Sequence, residues 1–98
     1  MTIDYLQQIK KLVLDELDKE PVRIILFGSR ARGNYHQTSD VDIGVIPRKS
    51  TWNSNKLSLL KEKLEDLDVP YKVDVVNLNE TSEEFKEEVL KGAVIWKD

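Results

Sequence analysis

Val22-Arg23-Ile24-Ile25-Leu26-Phe27-Gly28-Ser29-Arg30-Ala31-Arg32-Gly33 is the stretch on which the fold turns. Its first half is apolar apart from Arg23, and it stops at a glycine–serine pair. A short apolar run bounded by a turn signal reads as a strand covered on both faces. Arg30 to Arg32 is expected to make a brief helical turn, closed by Gly33.

The flanking sequence alternates in kind. Upstream, Leu6, Ile9, Val13 and Leu17 recur at helical spacing and predict a helix from about Ile3 to Lys19, limited by Pro21. Downstream, Asn34 to Ser39 is polar and reads as a loop. Val41 to Ile46 reads as a second strand, stopped by Pro47. Leu57, Leu60, Leu64 and Leu67 mark a second long helix. Lys72 to Leu78, after Pro70, reads as a third strand. Thr81-Ser82-Glu83-Glu84 carries the polar cap and early acids of a helix start. Phe85 and Val89 give that helix an apolar face as far as Gly92. The tail Ala93-Val94-Ile95-Trp96 is compatible with a strand, a helix extension or a contact surface. The order α-β-(α)-β-α-β-α predicts an α/β or α+β sandwich on a small sheet.

The chain has 98 residues, which predicts one domain over 1–98. A domain of this size buries only about 60–65% of its unfolded surface, leaving no room for a second substrate-gripping unit. Hydrophobic residues make up 40% and charged residues 34%, as in ordinary soluble proteins. No apolar run approaches the ~18 residues of a membrane span. Met1-Thr2-Ile3-Asp4 lacks a signal-peptide profile, so a cytoplasmic location is expected. The absence of cysteine rules out disulfides and thiolate metal sites. A formal net charge of −3 argues against long nucleic acid as a partner, because such binding draws on lysine and arginine set against phosphates.

Three features carry chemistry: Gly28-Ser29-Arg30-Ala31-Arg32-Gly33 after the first strand, Ser39-Asp40-Val41-Asp42 at the start of the second, and Asp74 within Lys72-Val73-Asp74-Val75-Val76. Side chains alternate along a strand, so Asp40 and Asp42 project the same way, with Cα atoms about 7 Å apart. Asp74 interrupts an apolar strand, where a charge is costly unless compensated. If the third strand lies beside the second, all three acids gather on one patch. Like charges at ~5 Å repel by about 3 kcal/mol at an effective dielectric constant of 20, so the cluster calls for a cation. Magnesium suits it, being held by one or two carboxylates together with substrate phosphates. Gly28 lets backbone amides approach a phosphate, Ser29 adds a hydroxyl near a helix N-terminus, and Arg30 and Arg32 are available to phosphate oxygens.

The pattern G-S-x10-D-x-D, from Gly28-Ser29 to Asp40 and Asp42, resembles the signature of the minimal nucleotidyltransferases of the DNA polymerase β superfamily. These are commonly the antitoxin half of HEPN/MNT toxin–antitoxin modules. Asp74 matches the third carboxylate expected on a later strand. The resemblance implies that Asp40 and Asp42 bind the metals, two magnesium ions, and that Asp74 assists the attacking hydroxyl as metal ligand or base. It also implies that Gly28 and Ser29 hold the triphosphate of ATP; Arg30, directly after Ser29, is the arginine expected to touch phosphate. The implied partner is a HEPN ribonuclease in a hetero-oligomer, silenced by AMP added to a tyrosine.

Singly, these features have plain readings. Gly28-Ser29 could be a strand-to-helix turn, Asp40 a turn cap, Asp74 an exposed acid on an edge strand. Their joint spacing favours the site. His36 reads as a loop residue, Trp96 as core, and Trp52 is assigned to neither core nor surface. Two other functions are compatible: a nucleotide-binding antitoxin that acts by contact alone, and a small-molecule nucleotidyltransferase completed by a second chain.

Overall fold

Asp4 caps the first helix: its carboxylate accepts from the Gln7 amide at 3.1 Å. The computed structural model describes residues 4–33, 40–49 and 51–98. Ile3, the stretch from Asn34 to Ser39 expected to be a loop, with His36, and Ser50 lie outside the described residues. The elements are α1 (Tyr5–Leu17), β1 (Val22–Phe27), α2 (Ser29–Arg32), β2 (Val41–Pro47), α3 (Asn55–Asp66) and β3 (Val73–Asn77). A 3-10 turn (Leu78–Glu80), α4 (Glu83–Leu90) and β4 (Val94–Lys97) complete the order. The ambiguous tail is therefore a strand.

The strands form one mixed sheet in the order β3-β2-β1-β4. β1 runs antiparallel to both β2 and β4, whereas β2 and β3 are parallel. Parallel neighbours need a crossover, and α3 supplies it. Alternation along the strands then divides the core. Val22, Ile24 and Leu26, with Val41, Ile43 and Val45, face α1 and α3, meeting Ile9, Val13, Leu57, Leu60 and Leu64. Ile25 and Phe27 face the other way, where Leu78 and Val89 cover them.

Several boundaries differ from expectation. The first helix ends at Leu17 rather than Lys19, two residues further from Pro21. Leu67 lies beyond α3 in extended backbone yet still packs on the main core. Leu78 belongs to the 3-10 turn, not to the third strand. It packs so closely over β2 that a Cβ on Gly44 would sit 2.7 Å from its Cδ1. Ser82 caps α4 as expected, accepting from the Phe85 amide at 3.1 Å. Trp96 packs on the main core, with Lys10 over its ring. Trp52 joins the same core from the side and donates its indole N–H to Glu20 at 2.9 Å.

Candidate active site

The register of the two parallel strands decides whether the acids meet. Asp42 lies directly opposite Asp74, and opposite Phe27 on its other side. Paired residues in adjacent strands share a face, at a strand spacing of about 4.8 Å. Asp42 and Asp74 therefore stand side by side on the α4 face of the sheet, away from the larger helical layer. Asp40 immediately precedes β2 and is exposed. The next residue fixes the start of the strand: the Val41 amide donates to the Lys72 carbonyl at 2.9 Å.

The electrostatics record this crowding. Burial first, then the negative charges of Asp74 and Asp40, hold the Asp42 carboxyl above its ordinary range, with Lys72 opposing. Lys72 stands 3.8 Å from Asp74, an arrangement the i, i+2 spacing allows because both residues share one face. Among the described residues no group of three or more His, Asp or Glu side chains is gathered closely enough to hold a metal ion. The arrangement is instead an open pair of carboxylates with a third acid near by.

Gly28 completes the geometry. Its backbone sits at φ 76° and ψ −156°, a conformation essentially reserved for glycine. A Cβ built there would lie 2.5 Å from Asp42 Oδ2. The bend at the end of β1 thus abuts the carboxylate of β2. Gly33 ends α2 in the left-handed conformation, as expected. Ser29 opens α2; its side chain and that of Arg32 lie outside the described residues.

Arg30 stacks its guanidinium 4.5 Å from the centre of the Tyr71 ring, and Tyr71 also meets Tyr5 edge-on. Burial raises the Tyr71 phenol above its ordinary range, against the lowering effect of Arg30. Sequence reasoning missed Tyr71, because nothing in its spacing joins it to the glycine turn. It also placed Phe85 only as core. Phe85 is 44% exposed and stands edge-on to Phe27. A cleft of about 210 Å³ lies between them and Gly28.

The chain matches the family described as Polymerase beta, Nucleotidyltransferase over residues 7–98. It is 31% identical to the probable protein adenylyltransferase MntA of Haemophilus influenzae, covering 92% of this chain and 77% of that protein. A toxin–antitoxin crystal structure with AMP-PNP superposes at a TM-score of 0.67, with 27% identity over 89% of this chain and 71% of that one. A crystal structure of toxin–antitoxin MntA-HpeT superposes at 0.66, with 30% identity over 92% of this chain and 70% of that one. In that protein two aspartates, separated by one residue, are changed to glutamate.

Proposed function

Because this chain belongs to the polymerase beta nucleotidyltransferase family, we propose that it is an enzyme that transfers AMP from ATP to a hydroxyl of a partner toxin. The observation that carries this reading is the register of Asp42 against Asp74 beside the Gly28 bend. The likeness to a protein adenylyltransferase and to a toxin–antitoxin structure with an ATP analogue supports the same chemistry. The partner is a HEPN-type ribonuclease, and its acceptor is a tyrosine. The two chains form a hetero-oligomer in the cytoplasm, and residues 1–98 act as a single catalytic domain.

The residues fit divalent metal. Burial, then the charges of Asp74 and Asp40, make Asp42 hold its proton more tightly than an ordinary carboxyl even with Lys72 opposing, and an oxygen-seeking cation relieves the repulsion among the acids. Asp40, Asp42 and Asp74 would hold magnesium, two ions in all, which would neutralise charge on the phosphates and on the oxygens entering and leaving.

The chain's own groups orient the rest. Gly28 leaves room for backbone amides at the phosphates, and Ser29 and Arg30 add a hydroxyl and a guanidinium there. Asp74 orients the acceptor hydroxyl and takes its proton as the oxygen bonds to the α-phosphorus. The bond from that phosphorus to the bridging oxygen breaks, and pyrophosphate leaves with the electron pair. No template is needed.

Incubation with the partner, ATP and magnesium, followed by intact-mass measurement, tests this. One or more AMP increments on the partner are expected, and none with Asp42→Asn or Asp74→Asn, both still folded by circular dichroism. Full transfer by both variants, or a silenced partner of unchanged mass, would remove the enzymatic reading.

A further inference from the structure

Among the described residues β3 is the outermost strand on its side of the sheet, with β2 pairing one of its edges. The Val41-to-Lys72 hydrogen bond fixes the phase of that pairing. By alternation Lys72, Asp74 and Val76 turn their backbone groups toward β2, and Val73 and Val75 turn theirs outward. Beside this edge runs a groove of about 390 Å³ between β3 and the end of α3. Leu64, Leu67 and Val69 give it an apolar floor, Lys61 and Glu65 line it from α3, and Asp74 belongs to its wall.

Resting on the reading of AMP transfer to a protein, the geometry points to this edge as the acceptor's entrance. An extended segment of the partner pairs with the outer edge of β3 and sets its hydroxyl-bearing residue across from Asp74. Three features argue for it. Outward N–H and C=O groups at half-buried Val73, continued by those of Val75 at 5% exposure, are a template for an added strand, which binds through main-chain hydrogen bonds. A residue across from Asp74 shares its face, one strand spacing of about 4.8 Å away, which brings the acceptor to the acids. Its two chain neighbours point to the opposite face, where α3 offers the apolar floor.

The segment is therefore apolar–hydroxyl–apolar in pattern. The order across the sheet becomes acceptor, Asp74, Asp42, Gly28. Acceptor and phosphates approach the acids from opposite sides.

Synthetic acceptors test the inference on the full chain. The first is a pentapeptide with one tyrosine between two valines. The second is the same peptide N-methylated at those three residues, which cannot pair with a strand edge. The third is tyrosinamide. AMP transfer to the first is expected to exceed transfer to the second at least ten-fold in kcat/KM.

Val73→Pro removes an outward N–H, a change edge strands tolerate. It should reduce the first peptide to the level of the second, while Val73→Ala stays near the parent. Tyrosinamide should be modified at the same slow rate by all three enzymes. Equal rates for the two peptides on the parent enzyme overturn the inference whether or not Val73→Pro folds, as does a Val73→Pro enzyme matching Val73→Ala. Transfer to no acceptor at all, tyrosinamide and partner included, defeats the AMP-transfer reading and this inference with it.

Discussion

Replacing Asp42 with asparagine should make the metal-free protein more stable while ending its activity. Asp42 and Asp74 are cross-strand neighbours, so their charges stand roughly 5 Å apart. At an effective dielectric constant of 20 that separation costs about 3 kcal/mol. The Asp74 side chain is 42% exposed and has Lys72 at 3.8 Å, so solvent and the counter-charge reduce the repulsion to about 1–2 kcal/mol. Asparagine keeps the shape and discards the charge. In a domain of this size each kcal/mol moves the melting temperature by about 4–8 °C.

The pH dependence has a definite sign. The Asp42 carboxyl is raised in the folded state by burial, Asp74 and Asp40. Its contribution to stability is thus fully present below the unfolded carboxylate value and is lost as pH rises through the raised folded value. The advantage of Asp42→Asn should open as pH climbs through that window and vanish in acid. Scanning calorimetry in chelator without nucleotide, from about pH 4 to about pH 7, measures it. A variant that melts at or below the parent throughout would refute the reasoning, since the carboxylate would then be a stabilising group.

Gly28→Ala should lose at least ten-fold in kcat/KM and about 2 kcal/mol of stability by urea titration, since its Cβ meets Asp42 Oδ2 at 2.5 Å and its φ is 76°; strain of this kind costs on the order of 1–3 kcal/mol. An unperturbed variant would place the carboxylate elsewhere. Leu60 is fully buried between α3 and the sheet, so Leu60→Ala should cost about 2–5 kcal/mol, read as a lower urea midpoint. Asp98 bonds Arg23 Nε at 2.9 Å, which, with the Arg23 charge, lowers its carboxyl below the ordinary value. Its small stabilisation is present above the unfolded carboxylate value and lost as pH falls through the folded one. Asp98→Asn should therefore differ from the parent near neutrality and converge with it in acid, with high salt erasing the difference.

The sequence carried the sheet's interior further than its margins. Val41, Ile43 and Val45 alternate with Asp42, Gly44 and Ile46, and that parity alone sets Asp42 on the face away from the apolar run. What it left open was whether β3 would lie beside β2, a matter of crossover through α3. β4 was not readable, because Val94 and Ile95 are apolar yet 44% and 56% exposed. Their identity comes from pairing with Leu26 and Ile25, far away along the chain. Phe85 has helical spacing to Val89, yet it is 44% exposed and meets the Phe27 ring edge-on. Arg30 was legible as a basic residue at the turn; its stack on Tyr71 depends on how α2 approaches the residues leading into β3, which no local pattern encodes.

The alternation in β2 has a consequence for how the gene can change length. Adding or deleting one codon within residues 41–47 would rotate everything beyond it by half a period. An insertion after Val41 would turn the second aspartate toward α1 and α3 and force isoleucine into the place of Gly44, where Leu78 and Ile25 leave no room for a side chain, so folding and chemistry would fail together. The same lesion in the segment joining α3 to β3 would shift neither set. Length variation among natural relatives should therefore gather in the connections and be scarce inside this strand.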